Sequence, residues 1–593
     1  MGYNPKKWAP DLGDIFKNSG PMVPKDLDRT LIDGVKVAGG LLLRWKANQA
    51  YKDALPVYGA EVAEQVHKAV LNRRDPGPIF ERADRLARER AERERLLASP
   101  PPLHGSASFT PVADLAPMIR GREGLDHPTS LILGTVRDQG RDLGQLHWDG
   151  RGGHLLTVAS TRTGKGHSAI IPNLLRYQGS CIVLDPKGEL YALTSKHRRT
   201  FGKVYRLAPL DDGSNPDTAD WLRHGFNPLT RITSEIEART FAQAIMPKDP
   251  KSPEFFNDDA VAFLTGLILY VVQRFDHPQL RSMVAVLELL GGTPQEFHDD
   301  TLVPMSQWAD PTVRAAAEAV LSKSGRNARD PLSGFAVLRE TLATELAIWR
   351  APSVQTMLAG SDVDFTTLKD EVATVYIDVP FHQMGPYAPV LQVILQNALD
   401  AMVANRRIPE RHVLFLLDEF LAIGGFPTYR AAINSHGGAG VRFWFFIQNF
   451  SGIQENYPGT AWRTFFDTAV RQFFGINESL SQQELSRELS NRTVAYRSTS
   501  ESGSLGAPIG WDQGQGNYGS STTESIQFTG RPLRTPEEVA RDLAPWKGED
   551  HRGGYVRISE HNVWADVEMY GYQHPSWGGF FTARTGALRQ SDV

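Results

Sequence analysis

The chain has 593 residues, of which 41% are hydrophobic and 22% are charged, so it can bury a large core and form more than one domain. Its formal net charge of −4 provides no global field that would attract nucleic acid, and any such contact must come from local basic patches. Cys181 is the single cysteine, which excludes an internal disulfide and a cysteine-based metal cluster and fits a reducing compartment.

We expect no membrane-spanning segment. The N-terminus lacks the apolar core of a secretory signal, and no later stretch offers about 18 uninterrupted apolar residues. The two most apolar runs, residues 35–43 and 260–272, are too short to cross a bilayer. Each of them is expected to form a buried helix.

Residues 1–104 are predicted to form a mostly helical N-terminal region. Within it, residues 79–98 carry six arginines against five acids, and this alternation of charge is typical of a solvated helix face with many ion pairs. A partner-binding or coiled-coil helix is the alternative. Three consecutive prolines at 100–102 then end the helix and mark a domain boundary.

Residues 157–172, TVASTRTGKGHSAIIP, lead from an apolar run into a helical pattern and have the form of a phosphate-binding loop. Such a loop places backbone N–H groups at a helix N-terminus, a glycine at the tight turn and a lysine at the terminal phosphates. Ala159 stands at the position of the first glycine, and Gly166 stands where a hydroxyl would reach Mg²⁺. On the pattern alone, a glycine-containing turn between a strand and a helix is an alternative. The predicted nucleotide-binding residues are Thr161, Arg162, Thr163, Gly164, Lys165, Gly166 and His167.

An apolar strand follows the helix of this loop at residues 180–185 and completes a βαβ unit. The charged residues 185–189 then lie at the carboxyl edge of the predicted sheet, where α/β proteins bind ligands. The basic segment 196–206 contains Phe201 and Tyr205 and has the composition of a surface that tracks a nucleic-acid backbone. A solvated basic turn is the alternative for that segment.

Helical periodicity replaces the strand-like runs from residue 227 to about residue 362, which predicts an all-α insertion. Strands resume at residues 371–379, and a long helical pattern follows at residues 389–405. The strands of the predicted sheet therefore come from both sides of the insertion.

Residues 413–417 are five consecutive apolar residues, and Asp418 and Glu419 follow them. An Asp at the end of a buried strand can hold Mg²⁺ through its water shell, and a Glu after it can polarise the water that attacks the γ-phosphate. A lone strand that ends in Asp-Glu can equally be followed by a capped helix. Together with the phosphate loop, the pair predicts a metal ligand, Asp418, and a catalytic residue, Glu419.

A further buried strand is predicted at residues 441–447 and is followed by Gln448. Beside a γ-phosphate, such a polar residue can act as a nucleotide sensor, and a strand-end cap is the alternative. Residues 470–474 repeat the pattern and complete about five strands of one open sheet.

Residues 497–530 are rich in Ser and Gly, which predicts a mobile loop or linker. The tail from residue 551 is expected to form strands and turns without a catalytic constellation.

Taken together, these motifs resemble those of the VirD4/TraG family of type IV secretion coupling proteins. The resemblance covers roughly residues 105–545 in the order and spacing of its motifs. The segments that carry it are residues 105–107, 132–134, 161–166, 183–189, 226–229, 417–420, 448, 473–477 and 531–533.

The resemblance implies an α/β fold, a RecA-like P-loop ATPase domain with an inserted all-α domain. A glycine after the loop lysine is common in this family, so Gly166 is expected to be a family trait rather than an inactivating change. The expected domains are an N-terminal region 1–104, a nucleotide-binding domain in two parts 105–228 and 366–496, an insertion 229–365, a loop 497–530 and a C-terminal region 531–593.

The same resemblance implies ATP and Mg²⁺ as cofactors. It also implies four roles, which are phosphate contact for Lys165, Mg²⁺ positioning for Asp418, water activation for Glu419 and nucleotide sensing for Gln448. Related motors form ring hexamers that pass DNA through the centre, with an arginine from the neighbouring subunit in the site. Arg442 and Arg471 are candidates for that arginine, since each lies near the end of a predicted strand.

The function implied is an ATP-driven motor or recruiter that couples DNA with a relaxase, or a protein effector, to a type IV secretion channel. Most family members begin with membrane-spanning helices, whereas we find none in this sequence. We therefore expect this chain to be cytoplasmic or peripheral at the inner membrane, reaching the membrane only through partners. A general double-stranded DNA translocase with the same core is one alternative. A nucleotide-responsive adaptor that does not hydrolyse ATP is another.

Overall fold

The computed structural model describes residues 29–150, 153–246, 254–324, 336–425, 427–435, 437–505, 518–544 and 551–586. The chain divides into two compact units. The small unit consists of Met1–Ala107 and Ser490–Pro532, and the large unit consists of Ser108–Leu489 and Leu533–Val593.

Twelve of the strands in the described residues form one sheet in the large unit, in the order β1-β3-β2-β14-β13-β10-β4-β9-β8-β5-β7-β6. The other two, β11 and β12, pair with each other in the small unit. Numbered in chain order, the strands are β1 (Ile119–Arg120), β2 (Leu131–Asp138), β3 (Arg141–Trp148), β4 (Leu155–Val158), β5 (Cys181–Asp185), β6 (Lys203–Leu207), β7 (Ala373–Asp378), β8 (Val413–Leu417), β9 (Val441–Ile447), β10 (Val470–Phe474), β11 (Asn491–Leu505), β12 (Tyr518–Pro532), β13 (His551–Ile558) and β14 (Val563–Tyr570).

The strands from β10 to β6 along the large sheet are parallel, and those on its β1 side are antiparallel. Strands β5, β7, β8 and β9 are buried at every position, as expected for parallel strands covered on both faces. The sequence predicts about five strands, which is too few. The strands expected in the tail from residue 551 are observed as β13 and β14, but their sequence did not indicate that they join this sheet.

Strand β9 lies between β4 and β8, with Ile447 opposite Val158 and Phe445 opposite Leu417. Because the three strands are parallel, their carboxyl ends meet at the same edge of the sheet. The residues that follow β4, β8 and β9 are therefore brought together, although they are far apart in the sequence.

The described residues between β6 and β7 form helices and no strand, which confirms the all-α insertion. Leu264, Leu267 and Ile268 are fully buried, so the buried helix predicted at residues 260–272 is also confirmed. The longer helices of the insertion are Glu235–Ile245, Glu254–Arg274, Met283–Leu289, Pro311–Ser324, Ala336–Glu345 and Pro352–Ala359.

Further helices accompany the strands of the large unit. The longest of them, Ala388–Ala404, buries its apolar side chains, including Leu391, Ile394 and Leu395. The longer helices outside the insertion are Glu189–Arg198, Ala388–Ala404, Pro427–Ser435, Phe450–Asn456, Ser479–Glu488 and Pro536–Asp542.

The described part of the small unit contains the helices Arg29–Tyr58, Ala60–Leu71 and Gly77–Ala98. Phe80 is the buried residue of the helix Gly77–Ala98, which agrees with the solvated, charged face predicted there. The core of this unit is formed by Ala50, Ala54, Ala63, Val66 and Phe80.

The first helix of the small unit is buried in its later part. Leu41 and Leu42 are 61% and 51% exposed, so the prediction of a buried helix at residues 35–43 is wrong for the side chains described there. That prediction was based on the apolar composition of the segment. The helix packs instead through small alanines further along, such as Ala50 and Ala54. Among the described residues, no helix combines the length and the apolarity that crossing a membrane requires.

Strands β11 and β12 pair antiparallel over their whole length, from Asn491 opposite Pro532 to Leu505 opposite Tyr518. The prediction of a mobile loop is therefore wrong for residues 497–505 and 518–530. Main-chain hydrogen bonds connect these strands, and they need no apolar side chains, so the Ser/Gly-rich composition hid the pairing. Residues 506–517 lie outside the described residues.

Candidate functional site

The loop that follows β4 lies at the carboxyl edge of the sheet and is attached to its neighbours. The Ser160 N–H donates to the Gly475 carbonyl at 3.2 Å. Gly164 has a φ of 81°, in the left-handed region that favours glycine. The helical turn Gly166–Ile170 begins directly after the loop, so its first N–H groups are placed where a helix start can accept an anion.

The two departures from the usual loop pattern fit this structure. Ala159 is fully buried and its N–H donates to the Ile447 carbonyl at 2.9 Å, so a methyl group is accommodated where a glycine is usual. A Cβ built on Gly166 would meet nothing within 4 Å. Gly166 thus leaves space where a hydroxyl would otherwise reach Mg²⁺.

Three loop residues predicted to bind nucleotide differ in their placement. Thr163 is buried, and its hydroxyl donates to the Ser160 carbonyl at 2.6 Å, which closes the loop on itself. Arg162 is exposed and has a φ of 61°, a conformation that strains a residue with a side chain. Thr161 is exposed at the mouth of the loop.

Four of the predicted residues form one chain of hydrogen bonds. The Lys165 ammonium lies 2.6 Å from Glu419 Oε1. Gln448 Nε2 donates to Glu419 Oε2 at 2.7 Å, and the Thr161 hydroxyl donates to Gln448 Oε1 at 2.8 Å. The structure therefore connects the phosphate loop, the end of β8 and the end of β9 through side chains that the sequence singled out separately.

Asp418 follows β8 beside this chain of hydrogen bonds. Its Oδ1 atom is buried and has no hydrogen-bond partner among the described residues. Burial raises the pKa of the Asp418 carboxyl, and the Lys165 ammonium opposes that rise. A partnerless carboxylate oxygen beside the phosphate loop fits a Mg²⁺ ion that is held through water.

Direct coordination by several side chains is not available here. Among the described residues, no group of three or more His, Cys, Asp or Glu side chains could hold a metal ion. Mg²⁺ commonly binds with one or two carboxylates, water and substrate phosphates, and Asp418 can supply the carboxylate of such a set.

His167, predicted to bind nucleotide, points towards other protein groups. Its Nε2 lies 3.0 Å from Glu189 Oε1, and this hydrogen bond lowers the pKa of Glu189. Its ring also meets the ring of Tyr572 edge-on at 5.3 Å. The structure thus gives His167 contacts with the charged segment 185–189 and with the C-terminal part of the chain.

Arg442 is not available to a neighbouring subunit, so this candidate for a trans-acting arginine is wrong. Its side chain is 4% exposed, donates to the Gly150 carbonyl and lies 4.4 Å from the centre of the Trp148 ring. Arg442 lies near the start of β9, whereas the phosphate loop lies where the parallel strands end. A strand pattern alone does not reveal that its arginine turns inward.

Arg471, the other candidate for the trans-acting arginine, stays a prediction. It is the second residue of β10, at the amino end of a strand that runs parallel to β4. Its guanidinium pairs with Glu488 at 2.5 Å, and its side chain is 17% exposed. Neither candidate therefore lies at the edge that carries Lys165.

The basic segment 196–206 is partly a structural element. Arg198 is fully buried and donates to Thr374 Oγ1 at 2.8 Å. Arg206 is also buried and lies 2.5 Å from Asp378 and 2.6 Å from Asp211. Arg198 attaches its helix to β7 and Arg206 connects β6 to β7, so these two buried arginines cannot belong to a nucleic-acid surface.

One residue near the loop was missed by the sequence analysis. Arg552, on β13, has its guanidinium close to Gly164. No local pattern around residue 552 indicated this contact, because only the pairing of β13 with β10 brings the residue to the loop.

Comparisons with known proteins agree with this geometry. A family model described as "Type IV secretory system Conjugative DNA transfer" matches residues 124–542, well over half of the chain. Protein VirD4 of Agrobacterium fabrum is 28% identical over 375 residues, which cover 61% of this chain and 53% of VirD4. Conjugal transfer protein TraG of Escherichia coli is 25% identical over 487 residues, which cover 76% of this chain and 72% of TraG. The chain spans about half the length of the VirD4 relatives it matches.

A solved structure has the same fold. Plasmid coupling protein TrwB, in complex with ADP and Mg²⁺, is similar to this chain with a TM-score of 0.50 and 15% sequence identity. The match covers 80% of this chain and 98% of the TrwB chain. The similarity therefore extends over nearly the whole TrwB structure.

Proposed function

The chain belongs to the type IV secretory system conjugative DNA transfer family and has its RecA-like P-loop fold, and we propose that it binds and hydrolyses ATP to deliver DNA to a secretion channel. The observation that carries this proposal is the chain of hydrogen bonds from Lys165 through Glu419 to Gln448. It joins a phosphate-binding lysine, a water-activating carboxylate and a sensor amide at one edge of the sheet.

Nucleotide binding is supported by the loop itself. The helix start at Gly166–Ile170 offers backbone N–H groups to phosphate oxygens, and Lys165 adds a positive charge beside them. The TrwB structure that shares the fold was solved with ADP and Mg²⁺. We therefore assign ATP and Mg²⁺ as the cofactors, with Asp418 as the carboxylate that positions the metal.

The hydrolytic step follows from the two contacts of Glu419. Its Oε1 accepts from Lys165, and phosphate oxygens compete for the same ammonium, so nucleotide binding releases Oε1. Gln448 still holds Oε2 and orients the released carboxylate, which can accept a proton from the water that attacks the γ-phosphate. Mg²⁺, when bound, neutralises charge on the phosphates.

The family description and the name of one relative support the substrate that we propose. The family is described by conjugative DNA transfer and TraG is a conjugal transfer protein by name, so we assign to this chain DNA with its relaxase, or a protein effector, as the cargo. We propose that it works as a homo-hexamer with type IV secretion channel components. Its place at the inner membrane would then be provided by those partners.

This function is tested by measuring ATP turnover of the wild type and of Glu419→Gln. Each protein is measured at low salt, with and without single- and double-stranded DNA. We expect DNA to stimulate turnover of the wild type. In the variant, the turnover rate should fall at least about 100-fold while nucleotide still binds, because the carboxylate that accepts the proton is gone. Glu371→Gln is the matched control, since Glu371 is an exposed acid that pairs with Lys203 away from the site.

Other outcomes would point to the alternative functions. Nucleotide binding without turnover in any condition would contradict hydrolysis and indicate an adaptor. DNA-stimulated turnover without retention of a relaxase or a channel protein would indicate a general DNA translocase.

A further inference from the structure

Strand β13 brings the C-terminal part of the chain to the edge of the sheet that carries the phosphate loop. It pairs antiparallel with β10, and Phe474 lies opposite Gly554. Strand β10 in turn runs parallel to β4, with Phe473 opposite Val158. Arg552 precedes Gly554 by two residues, so it lies beyond the carboxyl end of β10, beside the residues that follow β4.

The Arg552 guanidinium lies against the loop. A Cβ built on Gly164 would lie 3.3 Å from Arg552 Nη2 and 3.6 Å from its Cζ. Gly164 directly precedes Lys165, and the N–H groups of this part of the loop are those that bind phosphate oxygens. An anion bound there would lie within reach of the guanidinium.

The fold holds this arginine in place. Arg552 pairs with Met569 of β14 in the register of the C-terminal hairpin. Just after β14, the Tyr572 N–H donates to the His167 carbonyl at 2.8 Å. The hairpin is therefore attached to the helix of the loop as well as to the sheet, which preorganises the guanidinium beside Gly164.

We propose that Arg552 is a phosphate-binding residue of the nucleotide site, so that the C-terminal hairpin completes the site formed by the loop. This inference rests on the proposed binding of ATP at the loop. A guanidinium presents a planar set of donors that matches two phosphate oxygens at once, which Lys165 cannot do. Arg552 lies beyond residues 124–542, the part that matches the family model, so the contact is made by the chain outside that part.

The test is nucleotide affinity in variants of Arg552. MgATP and MgADP are titrated by displacement of a fluorescent ATP analogue from the wild type, Arg552→Gln and Arg552→Lys. We expect Arg552→Gln to weaken binding of both nucleotides by about 10- to 100-fold, the range for a lost hydrogen bond to a charged group. Arg552→Lys should weaken nucleotide binding less than Arg552→Gln does, because the lysine keeps the positive charge.

Arg557→Gln is the matched control, since Arg557 is on the same strand and donates to Asn562 Oδ1 at 2.6 Å, away from the loop. We expect it to bind both nucleotides as the wild type does. Wild-type affinity in Arg552→Gln would overturn the phosphate contact while leaving the proposed function intact. A wild-type protein that binds no nucleotide would overturn the proposed function, and this inference with it.

A second measurement needs no substitution and so does not depend on the folding of a variant. Phenylglyoxal labels accessible arginines, and mass spectrometry measures the labelling of Arg552 and Arg557 separately. We expect MgATP to protect Arg552 and to leave Arg557 unchanged. Equal labelling of Arg552 with and without MgATP, in protein that binds the nucleotide, would overturn the proposal.

Discussion

Glu419 combines catalytic chemistry with an unusual backbone. Its φ of 53° and ψ of 33° place it in the left-handed region, a conformation that costs a residue with a side chain about 1–3 kcal/mol. Lys165 and Gln448 hold both of its carboxylate oxygens, and these contacts offset that cost. The strain sits where a predicted catalytic residue leaves a buried strand, which is typical of functional sites.

His147, on β3, illustrates how burial acts on a single residue. Its Nδ1 lies 2.8 Å from the Ser130 hydroxyl, and its buried Nε2 has no hydrogen-bond partner within the described ranges of the chain. Burial, together with the nearby positive charge of Arg176, lowers the pKa of His147 to about 3. The imidazole is therefore neutral in the folded protein at pH values where it is charged in the unfolded chain.

The free energy of unfolding should consequently fall as the pH drops from about 6.5 towards 3, because the unfolded chain takes up a proton that the folded chain does not. By about pH 5, His147 should account for roughly 2 kcal/mol of this loss. In His147→Gln, the difference in Tm between neutral pH and about pH 5 should be smaller than in the wild type, as measured by calorimetry.

His561→Gln serves as the control, because the His561 side chain is 56% exposed. An unchanged pH dependence in His147→Gln would show that this imidazole is not the buried neutral group described.

At the scale of elements, the phosphate loop depends on the strand beside it. Gly475, just after β10, has a φ of 59°, and a Cβ built there would lie 2.4 Å from Thr163 Cβ. The two segments are thus in contact at a point where only glycine fits. The shape of the loop is set by the end of β10 as much as by its own sequence.

Gly475→Ala should therefore displace Thr163 and weaken nucleotide binding by about tenfold or more, a cost of overpacking of about 1–3 kcal/mol. Titration with a fluorescent ATP analogue measures the loss. Gly459→Ala is a control with matched backbone strain, since Gly459 has a φ of 70° but a Cβ there would meet nothing within 4 Å. Equal affinity in the two variants would mean that the contact with Thr163 does not shape the loop.

The sequence predicts those elements whose burial follows a simple pattern. The continuous apolar runs of β5, β8 and β9 identify parallel strands, and the side chains after them identify the site. The pairing of β11 with β12 was not predictable from composition, because main-chain hydrogen bonds support it. Arg442 was misjudged because its position in a strand is visible in the sequence, whereas its contact with Trp148 is not.

At the scale of the whole molecule, assembly is the property that the proposed function requires. With MgATP and double-stranded DNA, Glu419→Gln should form particles of six times the 65.7 kDa chain mass, because it binds nucleotide without consuming it. Mass photometry measures this directly. Lys165→Ala under the same conditions should remain smaller, since it lacks the phosphate-binding ammonium. Particles of a single chain mass in Glu419→Gln would contradict the ring.

The contact of Arg552 with the loop also belongs to this scale. The sequence places Lys165 in a recognisable loop, but it places Arg552 in a tail without any motif. Only the order of the strands, with β13 next to β10 and β10 next to β4, brings the two together. Residues that join a site through sheet order rather than through a local pattern cannot be found from one sequence.

We expect the ion pair between Lys165 and Glu419 also to limit how fast the proposed nucleotide binds. Since the ammonium is already engaged, an arriving phosphate must exchange with the carboxylate. Association then has two stages, a loose encounter followed by the opening of the pair, and the observed rate levels off once ATP is abundant. Above that concentration, the rate of nucleotide binding is set by the opening of the ion pair and does not change with the ATP concentration.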